Sequence, residues 1–78
     1  MGNCTFTKVA GAPYPGGDVT CATGQGYYRA TVYCLSSRIG GREVRIYGNI
    51  IAVADMKHSR AFCTASYPIL NEISYATQ

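Results

Sequence analysis

Along residues 27–35 polar and apolar positions change places at every step. Tyr28, Ala30, Val32 and Cys34 form a small, apolar or thiol-bearing set, and Tyr27, Arg29, Thr31 and Tyr33 form the other. Successive side chains of a β-strand point to opposite faces, so this period of two predicts a strand with one face buried. Val, Thr and Tyr also suit a pleated surface better than a helix. Arg42-Glu43-Val44-Arg45-Ile46-Tyr47 alternates again, with Val44 and Ile46 inward, and Ser36-Ser37-Arg38-Ile39-Gly40-Gly41 between them reads as a hairpin loop. Residues directly opposite in an antiparallel pair share a face, which constrains register. Cys34 opposite Val44 keeps the two inward sets together, and it places Val32 opposite Ile46 and Tyr33 opposite Arg45. A slip of one residue would bury Arg45.

The remaining segments are shorter and less regular. Cys4 to Val9 reads as a Thr-rich first strand, followed by a loop, Gly11-Ala12-Pro13-Tyr14-Pro15-Gly16-Gly17. Tyr14 in that loop is either a presented contact residue or a cover for the edge of a small core. Asp18 to Ala22 is a short strand with Val19 and Cys21 on one side, and Thr23-Gly24-Gln25-Gly26 is a turn. Gly48-Asn49 breaks the alternation and predicts a bend or bulge. Ile50-Ile51-Ala52-Val53-Ala54 is an unbroken apolar run, expected as a central strand covered on both faces; an edge used in self-association is the alternative. Asp55-Met56-Lys57 turns the chain into a strand from His58 to Thr64, with Ser59, Ala61 and Cys63 on one side and His58, Arg60 and Phe62 on the other. In the tail, Ile69, Leu70 and Ile73 fit a helical stripe while Ile69, Ile73 and Tyr75 fit a strand face. Strand is preferred there, and Pro68 confines it to a sheet edge. Short strands separated by frequent turn signals predict an all-β sandwich or barrel.

A chain of 78 residues makes a single domain, 1–78. A domain of this size buries only about 60% of its unfolded surface and usually needs a staple. Cys4, Cys21, Cys34 and Cys63 are even in number and well spread, no two have CxxC spacing, and His58 is the single histidine. Structural disulfides are expected, not a metal site. Disulfides require an oxidising compartment, so the mature protein is expected to be exported and extracellular. The Met1-Gly2 start has neither a basic nor an apolar leader region and reads as the start of an already trimmed chain. No apolar stretch is long enough for a membrane-spanning helix. The net charge of +3 includes Arg38, Arg42 and Arg45 close together, but Glu43 sits among them and no basic run forms, so nucleic-acid binding is not expected.

An enzyme needs a constellation, and the spacing offers none. Ser59 points away from His58, so a hydroxyl partner would have to come from Ser36, Ser37, Ser66 or Ser74. Asp18, Glu43, Asp55 and Glu72 are scattered, no glycine loop precedes a helix, and no cofactor is implied. His58 reads most simply as an exposed strand residue. What remains is surface. Tyr27, Arg29, Tyr33, Arg45 and Tyr47 share the outward side of the two alternating strands, and Tyr and Arg are the residue types that dominate binding hot spots. The alternative is that they are the ordinary outside of a sheet.

At its four cysteines, and in the ending His58-Ser59-Arg60-Ala61-Phe62-Cys63, the chain resembles the small secreted actinobacterial α-amylase inhibitors of the tendamistat type. The resemblance implies a disulfide-stapled antiparallel β-sandwich, tendamistat-like or Ig-like, with bridges Cys4–Cys21 and Cys34–Cys63. That pairing also agrees with the inward positions of Cys34 and Cys63 on their strands. The family inserts a Trp-Arg-Tyr triplet into its target; this chain has no tryptophan and carries Ala12-Pro13-Tyr14-Pro15 in its first cysteine loop, so amylase inhibition carries over to no residue here. The expected function is an exported binding protein whose partner is an extracellular protein, in one form an inhibitor of an extracellular enzyme. A carbohydrate-binding module and a self-associating structural protein, a dimer through its apolar edge, are the readings from other classes.

Overall fold

The computed structural model describes residues 2–11 and 13–77; Met1, Gln78 and Ala12 of the predicted loop lie outside them. Six strands follow in order: β1 Gly2–Val9, β2 Gly16–Thr23, β3 Tyr27–Leu35, β4 Glu43–Ala52, β5 Ser59–Phe62 and β6 Ile69–Thr77. The one helical piece among the described residues is a 3₁₀ turn, Val53–Asp55. The strands form two antiparallel three-stranded sheets, a first in the order β1-β2-β5 and a second in the order β4-β3-β6. The fold is a small β-sandwich, and the tail is a strand at a sheet edge.

The alternation in β3 decides where the core sits. Tyr28, Ala30, Val32 and Cys34 are fully buried, and they meet Val19, Cys21, Ala61 and Cys63 from the first sheet. Val44, Ile46, Ile51, Leu70, Ile73 and Tyr75 pack around this centre, and Tyr14 covers its margin. Each large side chain buried in this way stabilises the fold by roughly 1.5–3 kcal/mol. The sheets approach so closely that a Cβ on Gly17 would stand 2.7 Å from Ile73 and 3.0 Å from Val32. Only glycine fits between the layers there. The phenol of Tyr28 is buried with its hydroxyl satisfied: it accepts from the Cys21 N–H at 3.3 Å and donates to the Lys57 carbonyl at 2.9 Å.

Both expected disulfides are formed, and they do different work. Cys4 and Cys21 are direct register partners on β1 and β2, so their bridge lies within the first sheet. Cys34 on β3 and Cys63 just beyond β5 are bridged across the sandwich. Two disulfides suit an oxidising, extracellular-type environment. No described helix is long and apolar enough to cross a membrane.

Cys34 pairs with Val44, Val32 with Ile46 and Tyr33 with Arg45, the register that the alternation predicts. The register then shifts. Thr31 faces Tyr47 but Arg29 faces Ile50, so β4 carries one extra residue at Gly48-Asn49. That is the predicted bulge, and β5 closes it. The Ser59 hydroxyl accepts from the Ala30 N–H at 2.7 Å and donates to the Asn49 carbonyl at 2.6 Å, supplying partners to backbone groups at the bulge. Gly48 lets β5 come this near, because a Cβ there would run into the Arg60 carbonyl.

Two expectations are corrected. The apolar run 50–54 is not a central strand: β4 ends at Ala52 and lies at the edge of its sheet, with β3 on one side only. Beyond Ala52 the chain turns through Val53–Asp55 towards the first sheet, and β5, though close to β4 at Gly48, pairs with β2. Val53 is buried, while Ile50 stays 53% exposed. His58 precedes β5 instead of lying within it; it is exposed as expected, but its ring also bonds to the buried Asp18.

Candidate functional site

The outer face of the second sheet carries the predicted set. Arg29, Thr31 and Tyr33 stand on one side of β3, with Arg45 and Tyr47 beside them on β4. The Arg29 guanidinium lies 3.8 Å from the centroid of the Tyr47 ring. Arg45 lies over the Tyr33 ring at 5.6 Å and donates to the Tyr47 hydroxyl at 3.1 Å. Four of the five residues are thus linked, as Arg29–Tyr47–Arg45–Tyr33. The bond to the Tyr47 hydroxyl holds the Arg45 guanidinium in its charged form, raising its pKa further above the ordinary arginine value. Tyr27 stands apart. It is 54% exposed at the start of β3, opposite Ala52, and with Met56 and Ala54 it lines a shallow hollow at the end of the sandwich.

Thr31 departs from its predicted outward exposure. It sits between Arg29 and Tyr33 along β3 and opposite Tyr47, and among these long side chains it is only 2% exposed. Its hydroxyl and the Arg29 Nε are buried without a hydrogen-bond partner. The outer face is therefore a close-packed layer, not a row of separate solvated side chains. Glu43 and Glu72 flank it near the far end of β3: Glu43 opposite Leu35, Glu72 opposite Tyr33. Glu43 accepts from the Asn71 amide at 2.5 Å.

The first sheet holds a cluster that sequence reading missed. Asp18 is buried, accepting from the Arg60 Nε at 2.6 Å and bonded to the His58 Nδ1 at 2.6 Å. Burial by itself raises its pKa, but the bonds and charges of Arg60 and His58 outweigh that and hold the carboxyl below its ordinary value. A carboxylate only accepts, so the proton on this imidazole edge belongs to Nδ1. The Thr20 hydroxyl lies 2.8 Å from the same Nδ1. A Ser-His-Asp type relay places acid and nucleophile on opposite ring nitrogens; here both meet one, and His58 has nothing to draw a proton from Thr20. The signal for this cluster was the strand alternation itself, which puts Asp18 and Arg60 on outward positions, and they are register partners.

Among the described residues no group of three His, Cys, Asp or Glu is placed to hold a metal ion. The hollow beside Tyr67, lined by Ser36, Ser37, Arg38 and Ser66, and the one beside Phe62, lined by Gly11, Pro13 and Tyr14, bring no acid and base together. No protein-family model, curated protein or solved structure matches this chain.

Proposed function

We propose that the protein is a small exported binding protein, and that it recognises an extracellular protein through the outer face of β3 and β4. The observation that carries this reading is the linked set Arg29–Tyr47–Arg45–Tyr33, in which large, rigid side chains with polar tips cover an exposed face. Side chains already stacked lose little freedom on binding, which favours recognition. Tyr27, at the end of the same strand, extends the surface towards Ala52. Inhibition of an extracellular enzyme is the form of binding that the tendamistat-type resemblance supports. A second reading, self-association through β4, draws on the exposed Ile50 at a sheet edge.

Capture from the culture fluid of the source organism separates the two. The folded protein is expected to retain a different protein, and Tyr33→Ala with Arg45→Ala is expected to abolish capture while the unfolding midpoint hardly moves. Capture of the chain by itself, lost in Ile50→Lys, supports self-association instead. If unfolding shifts in the Tyr33/Arg45 variant and capture does not, the face is only the outside of a sheet.

A further inference from the structure

Two cations share one tyrosine on the β3–β4 face, Arg29 over the ring and Arg45 at the hydroxyl. Neither meets a carboxylate. The ion pairs among the described residues join His58 and Arg60 to Asp18, in the other sheet. Like charges brought this close repel, and among the described residues Glu43 and Glu72 lie nearby on the face without forming an ion pair to either cation. The inner edge of this layer is also unsatisfied: the Nε–H of the Arg29 guanidinium and the Thr31 hydroxyl are both buried without partners. Buried polar groups in native folds are nearly always paired, so these two orphans, one of them within a guanidinium that meets no acid, call for a common explanation.

Resting on the recognition reading above, we propose that this face takes a short acidic segment of its protein partner, with an Asp or Glu carboxylate accepting from Arg29 and Arg45 across Tyr47. A carboxylate matches the planar fork of a guanidinium, and charge-assisted bonds of this kind are about twice as strong as neutral ones. It relieves the repulsion between the two cations. The side chains above Thr31 are held by stacking, so a carboxylate that draws the guanidiniums towards it also uncovers the Thr31 hydroxyl as a further donor. The acid must be local. Glu43 and Glu72 flank the face near the far end of β3, and a long polyanion laid across it would meet them. That selects a protein segment with one or two carboxylates over a sulfated polysaccharide.

The test uses the folded, oxidised chain and two blocked peptides, Gly-Ser-Asp-Tyr-Glu-Ser-Gly and its neutral counterpart Gly-Ser-Asn-Tyr-Gln-Ser-Gly, titrated by NMR. The acidic peptide is expected to move the amide signals of Thr31, Tyr33 and Tyr47 and the Arg29 Nε–H, and the neutral one to leave them in place. Arg29→Gln and Arg45→Gln, checked as folded from their amide spectra, should each weaken binding about tenfold, and raising the salt to shorten the screening length should weaken it further. The inference is overturned if the neutral peptide moves the same signals equally. It also fails if the acidic peptide moves none of them or only those around Lys8, Arg38 and Arg42, or if heparin binds the face more tightly. Equal binding of the neutral peptide at this face leaves the recognition reading standing. Culture-fluid capture that survives in the Tyr33/Arg45 variant removes that reading and this inference with it.

Discussion

Each sheet of the sandwich puts arginine on its outer face, and the two faces resolve that charge in opposite ways. In the first sheet Arg60 reaches Asp18, a buried carboxylate that also holds the His58 ring, and the charges close on one another. In the second sheet Arg29 and Arg45 rest on Tyr47 and Tyr33 with no acid between them. A closed cluster spends its interactions on the fold and has little left for a partner. An open one keeps its donors free, and it is built from the residue types that dominate binding hot spots. Arginine on a sheet is not informative by itself; whether its partner is already present is.

The largest effect expected is on what both faces share. Reducing or replacing Cys34–Cys63, the bridge between the layers, should remove about 3.6 kcal/mol by the loop-entropy model, and Cys4–Cys21 about 3.1 kcal/mol. Either is a large part of what so small a domain has, so a reduced sample should unfold at room temperature by circular dichroism. If the reduced chain keeps its sheet, neither face depends on the staples.

Next comes Ser59→Ala. It removes the hydroxyl that Ala30 and Asn49 share at the bulge, leaving buried backbone groups unpaired at a cost of about 1–3 kcal/mol. Urea unfolding should show this as a lower midpoint with an unchanged slope, while the bulge keeps β4 in register at Arg45 and Tyr47. A loss of capture as large as in Tyr33→Ala would mean that the bulge, not the exposed residues, shapes the second face.

Asp18→Asn probes the closed face directly. Arg60 and His58 are largely exposed and can turn to water, so the expected loss is about 1–2 kcal/mol, within the range for removing one partner of a buried hydrogen bond. The pH dependence has a definite sign. The Asp18 pKa is lower in the folded chain than the ordinary value of about 3.9, so its stabilisation is complete above that value and is lost as pH falls through the lowered folded one. Unfolding curves of the native chain should weaken between about pH 4 and lower values more steeply than those of Asp18→Asn. Parallel curves would show that the cluster carries no stability.

The smallest effect on stability belongs to the open face. Arg45→Gln should leave the urea midpoint almost where it was, since its exposed side chain makes only a stacking contact and a surface hydrogen bond, and Arg29→Gln should lower it slightly, since that half-buried side chain also helps cover Thr31. A midpoint shift matching that of Asp18→Asn would erase the difference between the faces.

Most of the second sheet was legible because its signal is local. The period of two in β3 and β4 is written in neighbouring residues, and the need to keep Arg45 out of the core sets their register. The pairing of the cysteines was expected from the core-facing strand positions of Cys34 and Cys63, and both bridges are formed. Elsewhere the deciding partner lies far along the chain. Asp18 reads only as one of four scattered carboxylates, because its partners Arg60 and His58 come from 42 and 40 residues away. Ile50-Ile51-Ala52-Val53-Ala54 reads as a covered strand because five apolar residues in a row want covering. The chain instead splits the run, Val53 going into the core by a 3₁₀ turn and Ile50 staying at the edge. Thr31 followed the alternation in direction but not in exposure, because period says which way a side chain points and not how much its long neighbours cover it.

Recognition is proposed for the open face and architecture for the closed one. Amide chemical shifts of the labelled, folded chain, recorded with and without the partner captured from culture fluid, measure this most directly. The expected footprint is centred on Thr31, Tyr33, Arg45 and Tyr47, with Asp18, Thr20 and Arg60 unmoved. A footprint over Asp18, His58 and Arg60 that spares β3 and β4 would contradict it.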